Sequence, residues 1–176
     1  MPQLTVREAT IADAEAIAGI HVRSWQAAYR GLIDQAFLDA LSIADRTAGW
    51  RGIFTDPHPL TLGTLVGVRD DTILGWVSFG ASRDEEEGGT ADGEIYGIYA
   101  DPLFWSTGVG AALLSAAERR MTDAGHARAR LWVLDGNDRA DGFYARHGWA
   151  ADGATKVEER PGLTLAEHRR MKLLAP

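Results

Sequence analysis

Two glycines at the start of a predicted helix give this chain a place to bind a phosphate group. Gly108 and Gly110 form its one G-x-G pattern, and apolar residues recur at helical spacing from Val109 to Met121, ahead of a capping glycine at Gly125. The free N–H groups of a helix's first turn and the positive end of its dipole bind anions, and glycine lets a ligand approach the backbone closely. The chemistry indicated is the binding of a phosphate-bearing cofactor.

Two other phosphate-binding patterns do not fit these glycines. A P-loop requires Lys-Ser or Lys-Thr directly after the glycine pattern, and this chain has neither there. A dinucleotide-binding turn requires a third glycine three residues beyond the second, where this chain has Leu113. The cofactor is therefore expected to belong to another class.

The glycine turn and its surroundings resemble the acetyl-CoA motif of the GNAT acetyltransferases, Q/R-x-x-G-x-G/A preceded by a strand with a proline at its end. Here the predicted strand Glu94–Ala100 leads through Asp101-Pro102 to the glycines. A second block is similar to the family's next one: the strand Leu131–Leu134, then Asn137, then the sequence ADGFYARHGW at 140–149. Both blocks stand in the family's order and spacing. The resemblance implies acetyl-CoA as the cofactor and N-acetyl transfer as the activity.

The resemblance also implies which residues bind the cofactor. Main-chain amides of 106–111 are expected to hold the pyrophosphate, because Trp105 stands where the family usually has Gln or Arg, and Thr107 where it often has a basic residue. Main-chain groups of two strand residues would hold the pantetheine arm, and Asn137 either contacts the cofactor or caps the next helix. The expected cofactor residues are Ile98, Ala100, Trp105, Ser106, Thr107, Gly108, Val109, Gly110, Ala111 and Asn137.

Acetyl transfer to an amine needs a base for the ammonium group and an acid for the departing thiolate. A lysine-like amine with a pKa near 10.4 is neutral at pH 7 in only about one of a few thousand molecules. Glu94 at the start of the cofactor strand is the first candidate for the base, and His21 is the second. In the family, the tyrosine of the Phe-Tyr pair protonates the thiolate, which implies that role for Tyr144. A backbone N–H near Ile98 would polarise the thioester carbonyl.

Aromatic residues are expected to wall the acceptor pocket. Trp25 and Tyr29 follow His21 at i+4 and i+8 on the first helix, and Tyr96 lies on the cofactor strand. All four are substrate-binding candidates, although core packing would also explain them. A closed pocket would favour a small amine such as an antibiotic, an amino acid or a polyamine. An open groove would favour a protein N-terminus or lysine, and a non-catalytic acyl-CoA-binding sensor is the alternative from another class.

Composition limits the remaining possibilities. The 176 residues, 45% hydrophobic and 24% charged, indicate a single globular N-acetyltransferase domain over 1–176, with its cofactor half at about 93–150. No cysteine is present, which excludes a cysteinyl acyl-enzyme and thiolate metal sites, so transfer is expected to be direct or to use another nucleophile, and no metal is expected. No stretch approaches the roughly 20 apolar residues of a membrane span, and no leader is evident, so we expect a cytoplasmic protein without a membrane partner.

The charge of −7 bears on the partners. A nucleic-acid partner is not expected, because phosphate backbones require clustered Lys and Arg. A small-molecule or peptide amine is the expected substrate, and a homodimer stays open. The acidic run Asp84–Glu87 is expected to be a solvated loop, with attraction of a cationic acceptor as the alternative.

The elements that must position these residues follow a strand, helices, three strands, helix, strand, helix order. The first strand is predicted at Leu4–Glu8, and helices are predicted to start at Thr10 and Ser42. A hairpin is predicted from the strands Thr61–Arg69 and Ile73–Phe79. Residue preferences predict a helix over Thr164–Leu174, whereas the resemblance implies a final strand, which we follow. The fold class is α/β of the α+β type, the GNAT acyl-CoA N-acyltransferase fold, with a mixed, mainly antiparallel sheet flanked by helices.

Overall fold

Seven strands form one sheet in the computed structural model, which describes residues 3–84 and 92–174. The spatial order is β1-β2-β3-β4-β5-β7-β6, and all neighbouring pairs are antiparallel except β4 with β5. The predicted fold class is confirmed. The strands are β1 Thr5–Glu8, β2 Thr61–Arg69, β3 Thr72–Ala81, β4 Gly93–Ala100, β5 Arg128–Leu134, β6 Ala150–Arg160 and β7 Leu163–Leu173.

Five α-helices accompany the sheet, and their ends follow from local capping. Thr10 and Asp13 form the predicted capping box, and the side chain of Ser42 accepts a hydrogen bond from the N–H of Asp45. Gly125, with a φ of 93°, follows the end of the fourth helix. The helices are α1 Ala14–Ala28, α2 Gln35–Asp39, α3 Ile43–Thr55, α4 Val109–Asp123 and α5 Asp138–Arg146.

The β2–β3 hairpin turns on two aspartates. Asp70 and Asp71 have φ values of 49° and 59°. Two consecutive left-handed residues match the right-handed twist of the strands on either side, and aspartate tolerates this conformation better than most residues. The predicted hairpin is confirmed.

Helices cover both faces of the sheet. Leu65 and Val77 pack with Leu113 of α4. Their neighbours in the chain, Val66 and Trp76, pack with α1 and α3 instead. Successive side chains of a strand point to opposite faces, so this alternation places α4 on one face and α1 with α3 on the other.

The tail of the chain is a strand, as the resemblance implied. β7 pairs with β5 on one side and with β6 on the other. Two ladders of hydrogen bonds outweigh the helical preference of its residues, and Arg169 gains an ion pair with Asp152 at 2.7 Å.

The sheet opens between β4 and β5. Their parallel pairing is limited to Gly93 with Ala129 and Glu94 with Arg130. Beyond that point the strands diverge, so the rest of β4 has no strand neighbour on this side. The opening is the point where the two predicted halves of the site meet.

The predicted acidic run and the expected lack of a membrane span can be compared with the described residues. Of the acidic run, Glu85–Glu87 lies outside the described residues, while Asp84 pairs with Arg130 at 3.0 Å. Within the described ranges, no helix has the length and apolar character needed to cross a bilayer.

Candidate active site

A cavity of about 770 Å³ occupies the opening between β4 and β5. It is lined from both halves of the chain, by Tyr144 and Glu94 and by all four predicted acceptor residues. Its volume lies within the range of roughly 300–1,000 Å³ that is usual for small-molecule sites. The predicted cofactor residues that line it are Ile98, Ala100, Trp105, Ser106, Gly108, Gly110, Ala111 and Asn137.

The glycine turn presents its main-chain amides at one end of this cavity. Ser106 and Gly108 both have left-handed φ values, 63° and 90°. The first intrahelical hydrogen bond runs from the N–H of Ala112 to the carbonyl of Gly108, at 3.0 Å, which leaves the preceding N–H groups available. Alternating backbone conformations of this kind form a concave anion site, which fits a pyrophosphate.

Two residues of the turn do not line the cavity with their side chains. Val109 is 1% exposed and packs in the core against the sheet. The hydroxyl of Thr107 donates a hydrogen bond of 2.7 Å to the carbonyl of Phe104. The predicted cofactor role of both residues is therefore limited to their main-chain groups.

Positive charge reaches the turn from α5. The guanidinium group of Arg139 lies 3.9 Å above the ring of Trp105, whose indole N–H donates to the carbonyl of Ala100 at 2.9 Å. Burial and the neighbouring Arg146 lower the pKa of Arg139. Neither arginine forms an ion pair within the described part of the chain, so both can face phosphate groups.

Ile98 and Ala100, the two strand residues expected to hold the pantetheine arm, differ in whether their main-chain groups are available. The N–H of Asp101 bonds to the carbonyl of Leu74 in β3, so the main-chain groups of Ala100 and Ile98 point to the opposite, open side. The carbonyl of Ala100, however, already accepts hydrogen bonds from Trp105 and from Ser24, both at 2.9 Å. Ile98 is therefore the better placed of the two.

Asn137 caps α5. Its side-chain oxygen accepts a hydrogen bond of 3.2 Å from the N–H of Ala140. This is the capping alternative of the two that the sequence left open, and a contact with the cofactor stays a prediction.

Tyr144 lies in the cavity wall with an available hydroxyl group. The residue is 8% exposed, and its hydroxyl forms no hydrogen bond with any described residue. Burial, and after it the neighbouring Tyr99, raises its pKa well above the usual value. The hydroxyl therefore carries its proton at neutral pH, as a proton donor must.

Glu94 is held by Arg83. One carboxylate oxygen accepts a hydrogen bond from the main-chain N–H of Arg83 at 2.8 Å, and the other from its guanidinium group at 2.9 Å. The same guanidinium group lies 4.1 Å above the ring of Tyr96, whose hydroxyl donates to the carbonyl of Ala81 at 2.7 Å. Each oxygen that would take a proton already accepts a hydrogen bond from Arg83. This ion pair argues against Glu94 as the base, and that role stays a prediction.

His21 lies in an aromatic cluster and remains uncharged. Its ring centroid is 5.4 Å from that of Trp25, 5.5 Å from Trp76 and 5.7 Å from Tyr99, and both ring nitrogens have no partner in the part that the structure describes. Burial, with a smaller effect of Arg46, lowers its pKa to about 3. Such a weak base is poorly suited to deprotonate an ammonium group.

Comparisons with known proteins agree with this geometry. The model of the acetyltransferase (GNAT) family matches residues 21–149. The chain belongs to this family. It is 31% identical over 136 residues to the uncharacterized N-acetyltransferase YuaI of Bacillus subtilis (strain 168), covering 76% of this chain and 73% of YuaI.

Solved structures share the fold over nearly the whole chain. The PaiA N-acetyltransferase of Thermoplasma acidophilum, in complex with coenzyme A, is 20% identical with a TM-score of 0.74, covering 97% of this chain and 99% of that one. YncA of Salmonella typhimurium, with its cofactor acetyl-CoA, is 20% identical with a TM-score of 0.72, covering 99% and 95%. As a GNAT acetyltransferase, the protein uses acetyl-CoA, and the predicted family, enzyme class and cofactor are confirmed.

Sequence reasoning missed several residues of the GNAT cavity, among them Tyr99, Arg46 and Glu167. Tyr99 shares a hydrogen bond of 2.9 Å with Tyr29, and Arg46 lies over Trp25. Glu167 of β7 lines the cavity, and burial raises the pKa of its carboxyl group. No local motif marks Arg46 or Glu167.

Proposed function

We propose that this GNAT enzyme transfers the acetyl group of acetyl-CoA directly to the primary amine of a small molecule. The observation that carries the proposal is a single cavity with Tyr144 in its wall, the glycine turn at one end and aromatic side chains at the other. Acetyl-CoA supplies an acetyl group activated as a thioester.

The chain's own groups would bind and orient the cofactor. The amides of 106–111 and the guanidinium groups of Arg139 and Arg146 face its phosphates, where clustered donors suit an anion. The N–H of Ile98 points to the open side of β4 and is the donor that we assign to the thioester carbonyl.

Tyr144 would supply the proton for the leaving group. Its hydroxyl is protonated and has no competing acceptor among the described residues, and Tyr144 lines the cavity. A neutral acid of this kind can donate as the thiolate forms.

Glu167 is the carboxylate that we favour as the base. Its side chain is 16% exposed, and among the described residues it forms an ion pair with Lys156 alone, at 3.4 Å. Burial, and then the neighbouring Glu158, raises its pKa despite Lys156. A carboxyl group whose pKa is raised toward neutrality is a stronger base than an ordinary carboxylate.

The walls of the cavity favour a small acceptor over a protein. Trp25, Tyr29 and Tyr96 line its acceptor end, and large aromatic side chains suit a compact ligand. The available hydroxyl of Tyr144 favours an enzyme over a non-catalytic acyl-CoA sensor, because a sensor needs no proton donor there.

Replacing Tyr144 with Phe tests the proposal. The Tyr144→Phe change keeps the ring and removes the donor, so acetyl-CoA affinity should hold within a few-fold in calorimetry. Turnover with the best amine should fall by roughly 10²-fold or more, as is usual for general acids. Unchanged turnover in a folded variant would show that Tyr144 serves packing alone.

A further inference from the structure

Among the described residues, the Lys and Arg side chains that line the cavity outside α5 form ion pairs with carboxylates, with one exception. Arg83 pairs with Glu94 at 2.9 Å, Lys156 with Glu167 at 3.4 Å, and Arg160 with Glu158 at 2.5 Å. Arg46 also lines the cavity, but its guanidinium group forms no ion pair and no hydrogen bond with another residue in 3–84 or 92–174.

Arg46 is half-buried among aromatic residues. It projects from α3, and its guanidinium carbon lies 5.5 Å from the centre of the Trp25 ring. Burial, and then the like charge of Arg160, lowers its pKa. Taking a charge out of water is costly unless a partner compensates it. The Trp25 ring and Tyr99 favour the charge of Arg46, but no carboxylate among the described residues pairs with it.

The guanidinium group of Arg46 offers only hydrogen-bond donors. It carries N–H groups in a planar fork and has no acceptor atom. This fork matches a carboxylate, so an oxyanion in the cavity can pair with the group that no described carboxylate pairs with.

The cofactor's phosphates do not account for Arg46. The glycine turn lies on α4, and the unpaired Arg139 and Arg146 lie on α5. Arg46 lies on α3, beside the acceptor residues Trp25 and His21.

We propose that the acceptor is an amine that also carries a carboxylate group, the class of the amino acids, and that Arg46 binds this carboxylate. The inference rests on the proposed function. It adds that the acceptor end carries both signs of charge, with Arg46 for the carboxylate and Glu167 for the ammonium group.

Matched acceptors test the inference. Each L-amino acid and its carboxamide, which lacks the negative charge, would be assayed with labelled acetyl-CoA. The wild-type enzyme should prefer the acids. Arg46→Gln should lower kcat/KM for the acids by roughly 10- to 100-fold, mainly through KM, and leave the carboxamides unchanged. Arg46→Lys should recover part of the loss.

Arg51→Gln is the matched control, since Arg51 is exposed on the same helix and does not line the cavity. It should leave both acceptor series unchanged. Equal use of acids and carboxamides by the wild-type enzyme, or equal losses for both in Arg46→Gln, would overturn the inference while turnover upholds the proposed function.

A binding measurement separates the two claims. Tryptophan fluorescence, with Trp25 beside Arg46, would follow titration of the amino acids into the protein with coenzyme A present. Binding that Arg46→Gln weakens, without any acetyl transfer, would support the carboxylate site and refute the proposed function. Binding that ignores Arg46→Gln would refute the carboxylate site.

Discussion

Glu94 and Glu167 line the same cavity but differ in what holds them. Both oxygens of Glu94 accept hydrogen bonds from Arg83, and its side chain is 3% exposed. Glu167 has one cation at 3.4 Å and keeps an oxygen that can take a proton. Glu94 is therefore held in place by an ion pair, whereas Glu167 is better suited to proton transfer.

Paired glutamine variants distinguish these roles. Glu167→Gln should lower kcat/KM most at neutral pH, and the loss should shrink as the pH rises toward about 10.4, where half of a lysine-like amine is neutral without help. Glu94→Gln should give a loss that does not depend on pH, because it disturbs the ion pair with Arg83. The measurement is kcat/KM against pH for both variants. If the pH-dependent loss belongs to Glu94→Gln instead, Glu94 is the base.

Sequence reasoning found the residues that local motifs mark. Tyr144 and the glycines stand in short patterns, and the structure places them in one cavity. Arg46 and Glu167 belong to no pattern, because the folding of α3 and β7 toward the cavity decides their role. No local pattern marks the ion pair between Arg83 and Glu94 either, since it joins residues 11 positions apart.

At the scale of elements, we expect the start of α4 to bind the phosphates of acetyl-CoA. Ala111→Glu places a carboxylate in the cavity, whereas Ala112→Glu places one on the same first turn outside it. An acidic residue near a helix N-terminus favours the helix, so both variants should fold. We expect Ala111→Glu to weaken acetyl-CoA binding by at least roughly 10-fold through charge repulsion.

Calorimetry with acetyl-CoA checks this prediction, and Ala112→Glu should bind like the wild-type protein. Equal affinities for all three proteins would remove the phosphate site from the start of α4. Equal losses in both variants would indicate a general effect of charge rather than a specific site.

The elements themselves were largely predictable, and the opening between β4 and β5 was not. Caps at Thr10 and Ser42 and the turn at Asp70-Asp71 fix local structure, so their signals lie in adjacent residues. The tail became a strand because β5 and β6 lie on either side of it, which residue preferences do not encode. The point at which two parallel strands diverge depends on packing between distant segments.

At the scale of the whole molecule, charge is unevenly distributed. The chain carries a formal charge of −7, yet the cavity is lined by several cations from both halves of the chain. Local positive groups can concentrate an anionic cofactor despite an unfavourable overall field. The cations that line it are Arg46, Arg83, Arg139, Arg146, Lys156 and Arg160.

The central claim is that one cavity brings acetyl-CoA and a small amine together for direct transfer. Mass spectrometry of an amine panel, with isotopically labelled acetyl-CoA and the wild-type enzyme, tests it most directly. The panel would contain amino acids, polyamines, aminoglycosides and short peptides, with Ala111→Glu as the control that should form less product when acetyl-CoA is below saturation. We expect the label on the amine of a small acceptor. Tight acetyl-CoA binding with no labelled small amine, or label on peptides alone, would contradict the claim.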